Sequence, residues 1–165
     1  ETSYRLVFYC PTQEYYDDNN LNSAERKNAI SPIGILEYNG RKVMLTGDSN
    51  EINEPLVMAR TGKIDCDILK VGHHGSATST STAFLDYYTF EYALISCNAA
   101  GNTFNHPRQD TLDRLAQHDI DVYRTDNNGN IVVSVDKDGN IKITTEKEWN
   151  QSQNLIGLTG TAESD

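Results

Sequence analysis

The chain has little of several residue types that mark specialised classes of protein. Its 165 residues include three cysteines and no C-x-x-C pair, so neither a disulfide framework nor a zinc ribbon is indicated. No run approaches the roughly 18–20 apolar residues that a membrane-spanning helix needs. The first ten residues lack the basic start and apolar core of a signal peptide, and the first residue is not Met. We therefore expect either a piece of a longer protein or a mature form.

Basic residues are also scarce relative to acidic ones. Lys and Arg total 14 and Asp and Glu total 24, which gives a net charge of −10 with neutral histidines. Sequence-independent nucleic-acid binding depends on Lys and Arg that neutralise phosphates, so this chain alone is not expected to hold nucleic acid stably. The charge balance leaves open an enzyme that engages phosphate through metal ions. The content of 37% hydrophobic and 23% charged residues is typical of a globular domain.

The order of apolar runs and turn signals predicts an α/β domain with a mixed sheet and flanking helices. The predicted strands are 4–9, 33–38, 42–46, 68–71, 92–96, 122–124, 131–135 and 141–145. A helix ending at Arg60 is predicted to begin at Asn50 or Asn53, and two further helices cover 83–88 and 107–118. Residues 12–28 form a predicted long loop and residues 150–165 a predicted mobile tail, which leaves 1–149 as the folded domain.

Two predicted strand ends carry candidate chemistry. Asp48 follows an apolar strand and Gly47, while His73 and His74 follow the next apolar strand and lie between two glycines. Strand ends are where α/β sheets place ligand sites, and carboxylate oxygen with imidazole nitrogen suits zinc. Taken alone, Asp48 is also explained as a helix-capping turn residue, and the two histidines as exposed loop residues. If functional, one imidazole binds a metal while the other contacts substrate or a carboxylate.

Two other histidines have different settings. His106 precedes Pro107 at a predicted helix start, where backbone N–H groups favour anions such as phosphate, so we expect it near the same pocket. His118 falls late in the same predicted helix, where an imidazolium faces the carbonyl end, and is interpreted as structural.

The combination of these motifs resembles a known superfamily. A strand ending Thr-Gly-Asp, a helix, and a strand ending Lys-Val-Gly-His-His-Gly-Ser are similar to metallo-β-lactamase-fold proteins. The C-terminal domain of ComEC-type competence proteins and its free-standing relatives is the branch that it resembles most. The residues 28–31 (Asn-Ala-Ile-Ser), the segment 95–107 with Asn102 and His106-Pro107, and the segment 123–126 before Gly129 also fit this branch. The resemblance covers roughly residues 4–145.

The resemblance implies an αββα sandwich with a site for one or two zinc or manganese ions at the sheet edge. Asp48 would be the bridging ligand. One of His73 and His74, with His73 preferred, would be the last histidine ligand. The other histidine of the pair, together with His106, would act as a proton donor or phosphate contact. A further set of residues would shape the pocket and its neighbouring loop: Asn28, Ser31 and Ser76.

One departure from the superfamily is large. Its H-x-H-x-D-H motif is absent, and no histidine precedes His73. Because catalytic zinc normally has three protein ligands and a water, the resemblance implies the C-terminal half of the sandwich, with the N-terminal half as its missing partner. We expect the metal to belong to the intact parent and the site of this chain to be weak or empty. An uncovered sheet face would also favour self-association as a two-fold dimer.

Three functions therefore remain open. The first is a part of a metal-dependent phosphodiester hydrolase linked to DNA uptake. The second is a catalytically inactive, metal-free binding or assembly module. The third is a phosphocholine-esterase-like hydrolase of cell-surface polymers. The resemblance favours an extracytoplasmic or membrane-attached bacterial protein, and an H-x-H-x-D-H motif upstream would favour the enzymes.

Overall fold

The computed structural model describes residues 3–13, 24–100 and 102–158, and it contains a mixed six-stranded sheet. The strands lie side by side in sequence order. The first three are antiparallel neighbours, and the last three run parallel to the third and to one another. They are β1 (Tyr4–Cys10), β2 (Ile33–Tyr38), β3 (Arg41–Leu45), β4 (Ile68–Lys70), β5 (Tyr92–Ile95) and β6 (Asp121–Arg124). The predicted α/β class and mixed sheet are thus confirmed.

The turn between β2 and β3 shows why the local sequence was informative. Asn39 and Gly40 have φ of 46° and 76°, the pair of positive values that a type I′ hairpin turn requires. Asn and Gly adopt positive φ more readily than other residues, so the Asn-Gly pair sets the register of the hairpin. Leu36 consequently pairs with Val43 and Ile35 with Met44.

The main core lies between one face of the sheet and three helices. These are α2 (Glu54–Thr61), α3 (Thr82–Tyr87) and α4 (Gln109–Gln117), with a short α1 (Ala24–Asn28) before β2. One row of side chains crosses four neighbouring strands in register and is fully buried: Met44, Leu69, Ala93 and Val122. The sequence also predicts that the Ser/Thr tract 76–82 caps α3, and Ser81 of this tract does so by accepting the N–H of Phe84 at 3.2 Å.

The opposite face of the sheet is covered only in part within the described residues. A separate antiparallel hairpin, β7 (Ile131–Val135) and β8 (Ile141–Thr145), lies over its centre. It is tied to the sheet by Arg41, whose Nε donates to the carbonyl oxygen of Gly139 at 2.6 Å. A cavity of about 360 Å³ separates the two, lined by Leu36, Val43 and Val133 among others. Toward β1, the same face leaves three large side chains exposed: Tyr4, Leu6 and Phe8.

The last described segment differs from the mobile tail predicted from residue 150. Residues 150–158 contain α6 (Gln151–Asn154), and Asn154 is fully buried and donates to the carbonyl oxygen of Val122 at 2.8 Å. Arg124, also buried, donates to the carbonyl oxygens of Asn154 and Ile156. Burial of this backbone fixes a segment that has no apolar periodicity of its own. Residues 159–165 lie outside the described residues.

Two other loop predictions have mixed outcomes. Of the predicted loop 12–28, residues 24–28 form α1, while 14–23 lie outside the described residues. The sequence also predicts a turn at Asn128-Gly129; there Thr125–Asn128 form a short helix, α5, and Gly129 follows it with a φ of 68°.

Candidate functional site

Asp48 is positioned by contacts just beyond the end of β3. The Oγ1 of Thr46 donates to the carbonyl oxygen of Lys70 and holds the end of β3 against β4. Gly47 has a φ of 52°, and a Cβ there would lie 3.2 Å from the Cβ of Ser31. The backbone N–H of Asp48 donates to Ser31 Oγ at 3.1 Å. Ser31 therefore orients the Asp48 loop by a direct hydrogen bond.

The two histidines lie on a 3-10 turn, Gly72–Gly75, directly after β4. His73 and His74 have φ of 45° and 55°, in the left-handed region that costs a non-glycine residue roughly 1–2 kcal/mol. The turn is held by a hydrogen bond from the N–H of His73 to the carbonyl oxygen of Gly47 at 3.0 Å. The two ring centroids lie 6.4 Å apart, with the ring planes at 63° to each other.

His74 is the histidine that faces Asp48. Its Nε2 lies 3.4 Å from Asp48 Oδ1, and both side chains are about half exposed. Its Nδ1 lies 2.6 Å from the carbonyl oxygen of Ser96, so Nδ1 donates and carries a ring hydrogen. Two ligands about 2.1 Å from one tetrahedral zinc ion are about 3.4 Å apart, the separation found between Nε2 and Oδ1. This approach is compatible with a hydrogen bond from a protonated Nε2 to Oδ1, or with a cation bound by both atoms.

His73 faces a different set of partners. The amide nitrogen of Asn28 lies 3.4 Å from both ring nitrogens of His73, and the His106 ring lies 5.2 Å away between centroids. Burial lowers the pKa of both imidazoles, and the nearby His73 and His74 lower that of His106 further. Both rings are accordingly neutral at pH 7. The buried Nδ1 of His106 has no hydrogen-bond partner in the described part of the chain, which is uncommon for a buried polar atom.

A close contact brings the His106 loop to this site. Gly75 has a φ of 85°, and a Cβ there would lie 2.6 Å from the Cβ of Pro107. The carbonyl oxygen of Gly75 accepts the N–H of Arg108 at 2.9 Å. The structure therefore places His106 beside His73, at the same edge as Asp48. In the structure α4 begins at Gln109, whereas the sequence predicts a start at Pro107. His106 is therefore not directly at the N-terminus of this helix.

Two further residues that were selected from the sequence, Ser76 and His118, form hydrogen bonds within the fold. Ser76 was expected to line the pocket, but it is 7% exposed, and its hydroxyl pairs with that of Thr78. Its carbonyl oxygen accepts hydrogen bonds from the hydroxyls of Ser79 and Thr111, so Ser76 joins the turn to α4. His118 caps α4 and bonds Asp86 at 2.9 Å, a structural setting like the one predicted.

Two residues near the site were not selected from the sequence. Lys70, at the end of β4, donates to the carbonyl oxygen of Val71, and burial lowers the pKa of its amine while Asp48 opposes that shift. Phe104 is 74% exposed and stacks on His106 with ring centroids 6.0 Å apart. The signal for Phe104 was present, because it is the one aromatic residue in the Gly/Asn-rich stretch 98–106.

The donor set is incomplete for a metal. Among residues 3–13, 24–100 and 102–158, no group of three or more His, Cys, Asp and Glu side chains is arranged to hold an ion. Asp48 and His74 fit two coordination positions. The three cysteines are free thiols, and burial raises the pKa of Cys97, near the site, to about 11.

Comparison with known proteins shows which proteins this chain is similar to. Part of the chain is similar to competence proteins. The ComE operon protein 3 of Bacillus subtilis is 41% identical over 105 residues, which are 64% of this chain and 13% of the relative. The competence protein ComA of Neisseria gonorrhoeae is 35% identical over 114 residues, 66% of this chain and 16% of the relative. Recombination protein 2 of Haemophilus influenzae is 34% identical over 107 residues, 65% of this chain and 13% of the relative.

The chain thus spans about one seventh of the length of these relatives, so their whole activities are not carried over by similarity alone. No family model matches the chain. In the part of the chain that the structure describes, none of the helices has the length and apolar character needed to cross a bilayer.

Proposed function

We propose that this chain supplies part of the active site of a metal-dependent phosphodiesterase that acts on DNA taken up during competence. The observation that carries the proposal is the approach of Asp48 Oδ1 to His74 Nε2 at 3.4 Å, at the carboxyl ends of the parallel strands β3 and β4 of the mixed sheet. The competence proteins to which the chain is similar supply the biological setting.

In this proposal Asp48 and His74 hold zinc or manganese, in place of Asp48 and His73. The hydrogen bond from His74 Nδ1 to the carbonyl oxygen of Ser96 leaves Nε2 as the free ligand atom. A metal-bound histidine commonly donates its other N–H to a carbonyl or carboxylate, which fixes the ring and raises its basicity. His73 lies instead between Asn28 and His106. A bound divalent ion supplies Lewis acidity toward a phosphoryl oxygen and toward water.

His73 and His106 then act on the phosphate. Because burial lowers the pKa of each, both rings are neutral near pH 7, and each offers one N–H that can donate to a phosphoryl oxygen. A neutral imidazole is a weak acid, so we assign these rings to phosphate binding in preference to proton donation.

The missing ligands belong, in this proposal, to a further segment that packs on the part of the sheet face that the described residues leave exposed. Tyr4, Leu6 and Phe8 are 75%, 43% and 61% exposed on β1, and apolar surface of this kind is usually covered by a partner. The expected partner is the other half of the sandwich, and a second copy of the chain is the alternative occupant. The chain alone should consequently bind metal weakly and hydrolyse nothing efficiently.

A metal-free binding or assembly module is the second candidate. It is favoured by the lack of a three-ligand group in the described residues. In that case a proton on His74 Nε2 would satisfy Asp48 as an ion pair.

Calorimetric titration with zinc and manganese tests the ligand assignment. We expect affinities of the 165-residue chain in the micromolar range or weaker, and a loss of about tenfold or more in Asp48→Ala and in His74→Ala. His118→Ala is the control, because that histidine is bound to Asp86. Unchanged affinity in Asp48→Ala would contradict the metal site and support the metal-free module, and a loss in His73→Ala alone would return the assignment to His73.

Hydrolysis assays on single-stranded DNA and on a phosphocholine ester complete the test. We expect negligible turnover of either by the isolated chain. Nanomolar metal binding, or turnover that disappears in Asp48→Ala, would show that the chain carries a complete site. The substrate that is turned over would then decide between the two hydrolases.

A further inference from the structure

We propose that the cavity beside the histidines binds a base of single-stranded nucleic acid, stacked on Phe104. This base pocket has a volume of about 330 Å³, and its lining includes His74, Cys97, Asn98, Asn102, Phe104 and His106. The inference rests on the proposed phosphodiesterase, because it assigns the base next to the reacting phosphate to a place on the protein.

The exposure of Phe104 is built into its loop. The side-chain amide of Asn102 donates to the carbonyl oxygen of His106 at 2.5 Å, and its Oδ1 accepts the N–H of His106 at 3.4 Å. The N–H of Asn105 also donates to the carbonyl oxygen of Asn102 at 3.3 Å. These bonds close the segment 102–106, so Phe104 is held outward at 74% exposure by its neighbours.

The neighbours of Phe104 indicate what would cover it. Its ring lies nearly parallel to that of His106, at 18° between planes, and His106 in turn lies 5.2 Å from His73. A flat apolar face therefore adjoins the histidines that we assign to the phosphate. A nucleotide offers that combination, because its base has an aromatic face and its phosphate is one sugar away.

The polar lining indicates stacking without base discrimination. Asn102 is engaged with His106, and Asn98 Oδ1 accepts the N–H of Ala100 at 3.1 Å. Stacking on an aromatic side chain tolerates any base, because every base has a π-face. Bases within a duplex are already stacked and paired, so the ligand is single-stranded. The net charge of −10 also disfavours binding through the phosphates alone, so affinity should depend on the base.

Fluorescence anisotropy with the 165-residue chain tests the pocket. The probes are an oligothymidylate of about 12 nucleotides and the same strand with abasic residues, at low salt with EDTA. We expect the oligothymidylate to bind about tenfold more tightly than the abasic strand. Phe104→Ala should remove this difference, and Phe104→Trp should preserve it.

Tyr4→Ala is the matched control. Tyr4 is 75% exposed, and it pairs with Tyr38 beside the β2–β3 turn, at the opposite end of the sheet from Asp48. Circular dichroism of each variant checks that the fold is retained. Equal binding of the two strands, unchanged binding in Phe104→Ala, or no binding of oligothymidylate at millimolar concentration would each overturn the proposal. Because no metal and no turnover are involved, these outcomes are separate from failure of the Asp48 and His74 assignment.

Discussion

Replacement of Gly75 by alanine should destabilise the protein more than an ordinary surface glycine substitution. Gly75 has a φ of 85°, and the left-handed conformation costs an alanine about 1–2 kcal/mol. The added Cβ would also lie 2.6 Å from the Cβ and 3.0 Å from the Cα of Pro107. Pushing apart packed backbone of this kind costs about 1–3 kcal/mol more. The expected loss is therefore about 2–5 kcal/mol, which lowers Tm by roughly 5–15 °C.

Gly40→Ala separates the two contributions. Gly40 has a φ of 76°, and a Cβ there would meet nothing within 4 Å, so only the conformational cost of about 1–2 kcal/mol applies. The free energy of unfolding is measured by urea denaturation of both variants. Equal losses in Gly75→Ala and Gly40→Ala would refute the argument that the contact with Pro107 matters. Because that contact positions His106, Gly75→Ala should also weaken oligothymidylate binding.

Three further variants test contacts outside the site. Burial acts to lower the pKa of His118, but its hydrogen bonds with the carbonyl oxygen of Arg114 and with Asp86 outweigh burial and raise the pKa. The stabilisation from these bonds is therefore complete below the unfolded pKa of about 6.5 and is lost as pH rises through the folded pKa. His118→Gln should thus lower the free energy of unfolding near pH 5.5 by less than about 1 kcal/mol, with a smaller effect near pH 8.5; a pH-independent loss would contradict this. Asp126→Ala leaves the buried guanidinium of Arg124 unpaired and should cost about 3–5 kcal/mol by urea denaturation, so a loss below about 1 kcal/mol would show that the pair is dispensable. Ser81→Ala removes the cap of α3 and should cost about 1 kcal/mol, whereas an unchanged urea midpoint would show that the cap is unimportant.

The stabilisation that the Arg124–Asp126 ion pair provides should be lost at acid pH. Burial acts to raise the pKa of Asp126, but the hydrogen bonds from Arg124 and Cys97 outweigh it and lower the pKa. The stabilisation is therefore present above the unfolded pKa of about 3.9 and is lost as pH falls through the folded value. The guanidinium that this carboxylate neutralises also holds residues 154–156, so acid should release the C-terminal segment.

The sequence by itself determined the strands and the two strand ends that hold the candidate site residues. Alternating and continuous apolar runs indicate which residues are buried, and the Asn39-Gly40 pair favours a hairpin turn. These elements could be predicted because they depend on residues that are neighbours in the sequence. The glycines before Asp48 and around the two histidines indicated sharp turns, and the parallel order of β3 and β4 brings those turns to one edge.

Only the tertiary structure decided which side chains meet there. His73 and His74 both have left-handed backbone conformations, which set the directions of their rings. A hydrogen bond from the N–H of His73 to the carbonyl oxygen of Gly47, on another loop, holds this backbone. The position of His106 depends on the contact of Gly75 with Pro107, more than thirty residues along the chain. Such contacts join segments distant in sequence, and neither periodicity nor turn chemistry specifies them. For the same reason the docking of residues 150–158 on the buried Arg124 was not visible in a polar segment without a pattern of its own.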